Sequence, residues 1–414
     1  MRRWGSFVKV AAVHEETPLI ALIAVGLAFA FVGGYIAVRL KLPPIIGYLL
    51  AGIAVGPFTP GFVGEAHLAS ELAEIGVILL MFGVGMHFSM EDLWAMRSIA
   101  VPGALIQIVA ATAMGAGVAA LWGWPFGTGL VFGLALSVAS TVVLLRALES
   151  LQAVHTPDGK VAIGWLVVED LVMVLALVLL PAFAKQLGGI AAESDHAGGR
   201  GVWLSLAITL GKVAAFIAIM LIVGTRVFPW VLKQVERTGS RELFTLAVIA
   251  LALGVAFGSA KLFGVSFALG AFFSGVVVNQ SDLHKRAAAD LQPLQDAFGV
   301  LFFVAVGMLF DPAILVHEPL RVLMVVVIIV IGKSLVALGI VLVLRRPLST
   351  ALTVSAALAQ IGEFSFILAA LGVGLGLISL EAQNLILAGA IISITLNPLV
   401  FFAVSKVHRV KAAE

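Results

Sequence analysis

The chain contains no cysteine, which excludes disulfides, thiolate metal ligands and cysteine nucleophiles together. Charge is also scarce. Asp, Glu, Lys and Arg make up 12% of the residues against 61% hydrophobic, whereas an ordinary soluble domain carries roughly 25% charged residues. The net charge of +2 is too small to argue for a nucleic-acid partner. No GxSxG elbow is present, and the GKS at 332–334 lacks the upstream glycine of a phosphate-binding loop. The eight histidines are scattered without ligand spacing. These absences leave no enzyme signature, and no cofactor is expected.

What the chain has in abundance is long apolar runs. Mean hydropathy is +1.15, and stretches near the roughly 20 residues needed to cross a bilayer recur from end to end. The expected class is an all-α polytopic membrane protein whose first partner is the lipid bilayer. Turn residues and charges divide it into about thirteen segments. They fall near 18–38, 43–58, 70–88, 98–122, 126–148, 159–184, 203–226, 242–259, 264–280, 297–310, 319–344, 350–376 and 382–404. The N-terminal MRRWGSFVKVAAVHEETP has no short apolar core ending in small residues, so no removable signal peptide is expected. An odd number of crossings puts the termini on opposite sides. With the N-terminus outside, sixteen of the 25 Lys and Arg fall in cytoplasmic segments, seven in external ones and two, Lys212 and Lys333, inside spans. That bias favours an external N-terminus and a cytoplasmic C-terminus.

A charge in the middle of a span costs at least about 2.5–3.5 kcal/mol and marks a pathway or a site. Glu169 and Asp170 sit together in WLVVEDLVMVLALVLLP, Lys333 in VIIVIGKSLVALGI and Glu363 in SAALAQIGEFSFILAA. All four lie at similar depth, so one buried constellation can hold them. Adjacent helical residues point about 100° apart, so one acid of the pair can meet Lys333 while the other faces a cavity. Two carboxylates on one helix cannot flank a scissile bond, which disfavours an intramembrane hydrolase. Lys212 lies nearer a span end, where its ammonium can snorkel to the interface.

The fifth and twelfth segments carry small polar residues at mid-span: Ser137, Ser140 and Thr141 in LSVASTVVLL, and Gln360, Gly362 and Glu363. Such residues suit a discontinuous helix, whose freed backbone groups must be satisfied inside protein. A serine there more often bonds back to its own helix, the expectation for Ser137. Breaks at corresponding places in two halves point to a transporter site. Residues 98–184 and 319–404 are expected to form two three-segment repeats of opposite topology, with the remaining helices as scaffold.

The residues that carry these features also carry a resemblance. PPIIGYLLAGIAVGPFTPGF, ELAEIGVILLMFGVGMHFS, LSVASTVVLLRALE, GWLVVEDLVMVLALVLLP, VSFALGAFFSGVVVN, LFFVAVGMLFDP and ALAQIGEFSFILA resemble the membrane domain of bacterial monovalent cation/proton antiporters of the Kef-like branch, almost end to end. The resemblance implies two crossing unwound helices, inverted repeats, a homodimer, an elevator-like movement and the bacterial inner membrane. It puts the ion-binding acid on Asp170, the family lysine on Lys333 and the unwound-helix contacts on Ser140 and Thr141. Gln360 and Glu363 match the second crossing helix. Glu169 departs from the glutathione-gated members, which have Gln there. Relatives usually continue into a cytoplasmic nucleotide-binding regulatory domain, which this chain, ending at Glu414, is expected to lack.

The expected function is therefore exchange of a monovalent cation for protons. Potassium is favoured, with a sodium/proton antiporter as the alternative and a gated potassium channel less favoured because no TVGYG-like filter occurs. Asp170 is expected to hold the cation or a proton in turn, Glu169 to pair with Lys333, and carbonyls near Ser140, Thr141 and Gln360 to complete the cation's oxygen shell. Cation and proton are substrates here.

Overall fold

The computed structural model describes residues 18–59, 64–87, 90–150, 152–154, 156–190 and 202–411. Arg2, Arg3, Lys9 and Arg200, which enter the orientation argument, lie outside the described residues, as does the expected position of the N-terminus itself. No strand occurs among the described residues. Among the described residues ten helices are long and apolar enough to cross a membrane, and four further apolar helices have 10–17 residues. The protein is a multi-pass membrane protein. The described residues group into two compact units: one takes in those from Pro18 to Val77 with Leu294–Pro312, the other those of Ile78–Pro293 with Ala313 to Lys411.

The first unit is built from α1 (Pro18–Arg39), α2 (Pro44–Val55), part of α3 (Ala66–His87) and part of α12 (His284–Met308). Its core is small side chains and a few large ones, among them Leu22, Ala30, Ala51, Leu72, Val304 and Met308. Close backbone approach explains the size of these residues, since packing in lipid rests on contact rather than on expelled water. A Cβ at Gly33 would stand 2.5 Å from the Gly47 carbonyl oxygen, and one at Gly52 would stand 2.1 Å from that of Val304. Helix α12 begins well before the expected 297–310, because the polar stretch from His284 to Gln295 is helical too.

The second unit contains α4 (Met90–Leu121), α5 (Phe126–Ser137), α6 (Thr141–Ser150), α7 (Pro157–Phe183), α8 (Val202–Ile219), α9 (Thr225–Glu236), α10 (Arg241–Phe263), α11 (Phe267–Asn279), α13 (Ile314–His317), α14 (Pro319–Val327), α15 (Lys333–Val343), α16 (Leu348–Ala357), α17 (Glu363–Gly374) and α18 (Leu380–Lys411). Ordinary caps start several of them. Thr156 accepts from the Gly159 N–H at 3.1 Å with Pro157 at the first turn of α7, and Ser240 accepts from Leu243 at the start of α10. One π-turn, Met220–Gly224, joins α8 to α9 and another, Ile328–Gly332, joins α14 to α15 immediately before Lys333.

Two expected spans are broken in the middle. The segment at 126–148 splits into α5 and α6 around residues 138–140, and that at 350–376 splits into α16 and α17 around residues 358–362. Around these breaks α4, α6, α7, α15, α16 and α18 share one apolar core centred on the fully buried Trp165, with Leu144, Leu166, Ala337, Val354 and Leu358. The core fixes the depth at which the polar residues of the breaks meet.

Candidate functional site

A helix end leaves backbone groups without intrahelical partners, and in a bilayer no water is present to take them. Four such ends meet where the two broken helices cross. Backbone in the breaks is extended, at φ −93° for Val138 and φ −124° for Gly362. The crossing is closest at Gly362, where a Cβ would stand 2.5 Å from the Ser140 Cα and 2.7 Å from its nitrogen. Glycine is required there by contact, since its φ is open to any residue.

Gln360 ties the two breaks together. Its Oε1 accepts the Ser140 N–H at 3.0 Å, while its Nε2 donates to the Ser140 carbonyl at 3.1 Å and to the Ala357 carbonyl at 3.2 Å. Its own carbonyl accepts from Lys333 Nζ at 2.9 Å. Ser140 caps α6 in turn, its hydroxyl accepting the Val143 N–H at 3.2 Å and lying beside the Glu363 carboxylate.

The charges attach to helix ends of opposite polarity. Glu169 Oε2 accepts the Ala139 N–H at 2.9 Å, next to the start of α6, whose dipole favours an anion. Lys333 meets a carbonyl just beyond the end of α16, whose dipole favours a cation. Thr141, the first residue of α6, donates its hydroxyl to Asp170 Oδ2 at 3.0 Å. Glu169, Lys333 and Gln360 are 0% exposed, Asp170 5% and Glu363 6%.

At the crossing, three buried carboxylate oxygens have no hydrogen-bond partner: Asp170 Oδ1, Glu363 Oε2 and Glu169 Oε1. Asp170 and Glu363 lie close enough for their charges to act on one another. A buried ionised carboxylate must be paired, bonded or neutralised. Unpartnered oxygens of two acids, from α7 and α17, are therefore suited to a proton or to a cation of low charge. Among the described residues no group of three or more His, Cys, Asp or Glu is arranged to hold a metal ion.

The structure brings Glu169, Asp170, Ser140, Thr141, Gln360, Glu363 and Lys333 to this one place. Ser137 uses its hydroxyl on the Leu134 carbonyl at 2.8 Å, the local back-bond. Lys212 lies exposed on α8. Two contacts differ from expectation. Glu169 and Lys333 feel each other's charge, yet among the described residues they form no ion pair of contact length, because each first satisfies a buried backbone group. The Ser140 carbonyl is not free for a cation either, since it accepts from both Leu144 N–H and Gln360 Nε2. That fills the two lone pairs of a carbonyl. Gln360 likewise has its whole amide engaged with protein.

Two residues escaped the sequence reading. Gln107 on α4 donates from Nε2 to the Ser137 carbonyl at 3.1 Å, and Asn397 on α18 donates from Nδ2 to the Ala356 carbonyl at 2.9 Å. The available signal was an amide in an otherwise apolar run, as in ALIQIVA and SITLNPLV.

Two discontinuous helices crossing in the membrane, with acids and a lysine at the crossing, define the architecture of a secondary transporter. The chain belongs to the transmembrane sodium/hydrogen exchanger family, whose profile matches residues 27–407. It is 58% identical over 393 residues to YbaL of Escherichia coli K12, described as a cation/proton antiporter, covering 95% of this chain and 70% of that protein. It is 33% identical to K(+) efflux antiporter 4 of Arabidopsis thaliana over 95% of this chain and 65% of the relative. Among solved structures, the sodium proton antiporter MjNhaP1 of Methanocaldococcus jannaschii superposes with a TM-score of 0.69 over 93% of this chain and 98% of that one. At 15% identity that likeness concerns the fold.

Proposed function

We propose that this chain exchanges a monovalent cation, with potassium favoured, for protons at the Asp170 carboxylate. The observation that carries the reading is the state of that carboxylate: buried, held on one oxygen by Thr141 and unpartnered on the other. A proton neutralises it, and so does a dehydrated cation. An empty ionised site is penalised by its surroundings, which makes uncoupled return unfavourable and exchange obligatory. Glu363 supplies the second unpartnered oxygen, and Ser140 and Thr141 supply hydroxyls. Glu169 and Lys333 hold the half-helix ends and offset each other's charge. A carboxylate and hydroxyl oxygen set suits hard monovalent cations.

Potassium is favoured because of the likeness to proteins described as K(+) efflux antiporters. On this reading the repeats at 98–184 and 319–404 carry the site across the membrane in an elevator-like movement. The other helices form scaffold and homodimer interface in the bacterial inner membrane, with the C-terminus cytoplasmic. A regulatory nucleotide-binding domain would attach at that end.

The test is purified protein in proteoliposomes under an imposed pH gradient with voltage clamped, comparing potassium, sodium, lithium and rubidium. Potassium-dependent proton flux that saturates and vanishes in Asp170→Asn is the expected result. Wild-type flux from Asp170→Asn would overturn the assignment of the site. Sodium-dependent flux alone would replace potassium by sodium, and flux without proton coupling would indicate a channel.

A further inference from the structure

Gln107 and Asn397 are enclosed, at 0% and 1% exposure, among apolar helix neighbours. Each gives one amide N–H to the carbonyl end of a half-helix. Ser137 is the last residue of α5, and Ala356 is the penultimate residue of α16. The two bonds thus fall at matching places on the two broken helices. They come from opposite flanks, since Gln107 lies on the helix before its broken helix and Asn397 on the helix after. Each bond holds the point at which the chain leaves the helix for the break. Three residues beyond Ser137 lies Ser140, beside the Glu363 carboxylate, and six beyond Ala356 lies Gly362, which packs against Ser140.

A second observation concerns Gln107. Its Oε1 is buried and has no partner. Buried side-chain polar atoms are ordinarily satisfied. An amide oriented so that one end is satisfied and the other orphaned shows that the Ser137 carbonyl dictates its placement. Reversal of the amide would set oxygen against oxygen.

We propose that Gln107 and Asn397 are positioning residues for cation exchange, acting through the carbonyl ends of α5 and α16 to keep Ser140, Thr141 and Gly362 in register with Asp170 and Glu363. Neither touches the cation. The inference rests on the exchange reading of Asp170.

The test uses the full chain in proteoliposomes, with initial rates of proton flux measured against potassium concentration. Gln107→Leu and Asn397→Leu keep size and remove the donor. Each is expected to raise the apparent KM for potassium about tenfold, the equivalent of one strong positioning contact, with Vmax largely retained. An unchanged KM, or a loss of Vmax alone, would overturn the proposal. Where a leucine variant does not fold, Gln107→Glu carries the test. Its neutral acid can donate to the Ser137 carbonyl and its carboxylate cannot, so its KM divided by the wild-type KM at the same pH is expected to rise with pH. A ratio that stays constant across pH would overturn the proposal as well. Asp170→Asn in the same vesicles separates the two readings. If it transports like wild type, the exchange reading fails; if it is inactive while the amide variants keep wild-type KM, only the positioning role fails.

Discussion

The side-chain amide of Gln360 stands against the backbone of Ser140 as a second peptide group would: it accepts the Ser140 N–H and donates to the Ser140 carbonyl, at 3.0 and 3.1 Å. One side chain thereby satisfies both backbone groups of a residue in an unwound segment of a different helix. The crossing is held by this pairing and by the contact of Gly362 with the same serine.

Replacing Gln360 by alanine leaves the Ser140 N–H without a partner and removes donors from the Ser140 and Ala357 carbonyls. A buried polar group left unsatisfied costs about 1–3 kcal/mol. Gln360→Ala is expected to lower the melting temperature in detergent by several degrees and to abolish exchange. Gln360→Glu keeps the acceptor for Ser140 N–H and is expected to melt between the two. A melting temperature for Gln360→Ala equal to wild type would show that the pairing adds nothing.

Gly362→Ala tests contact alone. Since φ at this residue is −124°, alanine meets no conformational strain, only the Ser140 backbone at 2.5 Å. Overpacking in a tight interior costs about 1–3 kcal/mol. The variant is expected to be less stable and transport-deficient, with partial recovery when Ser140 is also changed to glycine, since its Cβ is a further contact at 2.8 Å. Size-exclusion profiles and melting curves of the single and double variants decide it.

Thr141→Val removes the hydroxyl that Asp170 Oδ2 accepts while keeping the shape of the side chain. A hydrogen bond to a charged group contributes about 1.5–3 kcal/mol, so the apparent potassium affinity is expected to change by tenfold or more. Thr141→Ser retains the hydroxyl and is expected to stay near wild type. Equal KM values for valine and serine would remove Thr141 from the site.

Lys333 can act as a charge or as a donor to the Gln360 carbonyl, and substitution separates the two. Lys333→Gln offers an uncharged donor and Lys333→Met offers neither. If the carbonyl contact dominates stability, glutamine is expected to melt well above methionine. Both are expected to change the voltage dependence of exchange, because both leave Glu169 without its compensating charge. Identical melting of the two variants would assign the whole stabilising effect to charge.

Between α11 and α12, the exposed Asp282 carboxyl lies 2.9 Å from the Lys233 ammonium, whose hydrogen bond and charge hold it below the ordinary value. A depressed carboxyl adds stability above its unfolded pKa, about 3.9 for Asp, and loses it as pH falls through the folded value. Both groups are exposed and screened. Asp282→Asn is expected to lower the neutral-pH melting temperature only slightly and to match wild type once the carboxyl is protonated, below roughly pH 4. A drop of many degrees at pH 7 would reveal a larger role for the pair.

Asp170, Glu169, Lys333 and Glu363 were legible because an ionisable side chain in an apolar run has few reasons to be there. The breaks at Ser140 and Gly362 were legible because small polar residues at mid-span mark backbone that needs other partners. Gln107 and Asn397 were not. A neutral amide is a weaker signal than a charge, and nothing local to either residue names the carbonyl it serves. The expected Glu169–Lys333 bridge went the same way, since opposite charges at one depth imply a pair until backbone groups compete for them.

Apolar length and the position of each charge along its run already determined that this chain lies in a membrane as helices, and at what depth its acids sit. Those properties are local, set by the cost of polar groups in hydrocarbon. Which carbonyl, N–H and hydroxyl each buried group meets was decided only by the crossing of α5–α6 with α16–α17. Partners such as Gln360 and Ser140 lie 220 residues apart, and only packing brings them within a hydrogen bond.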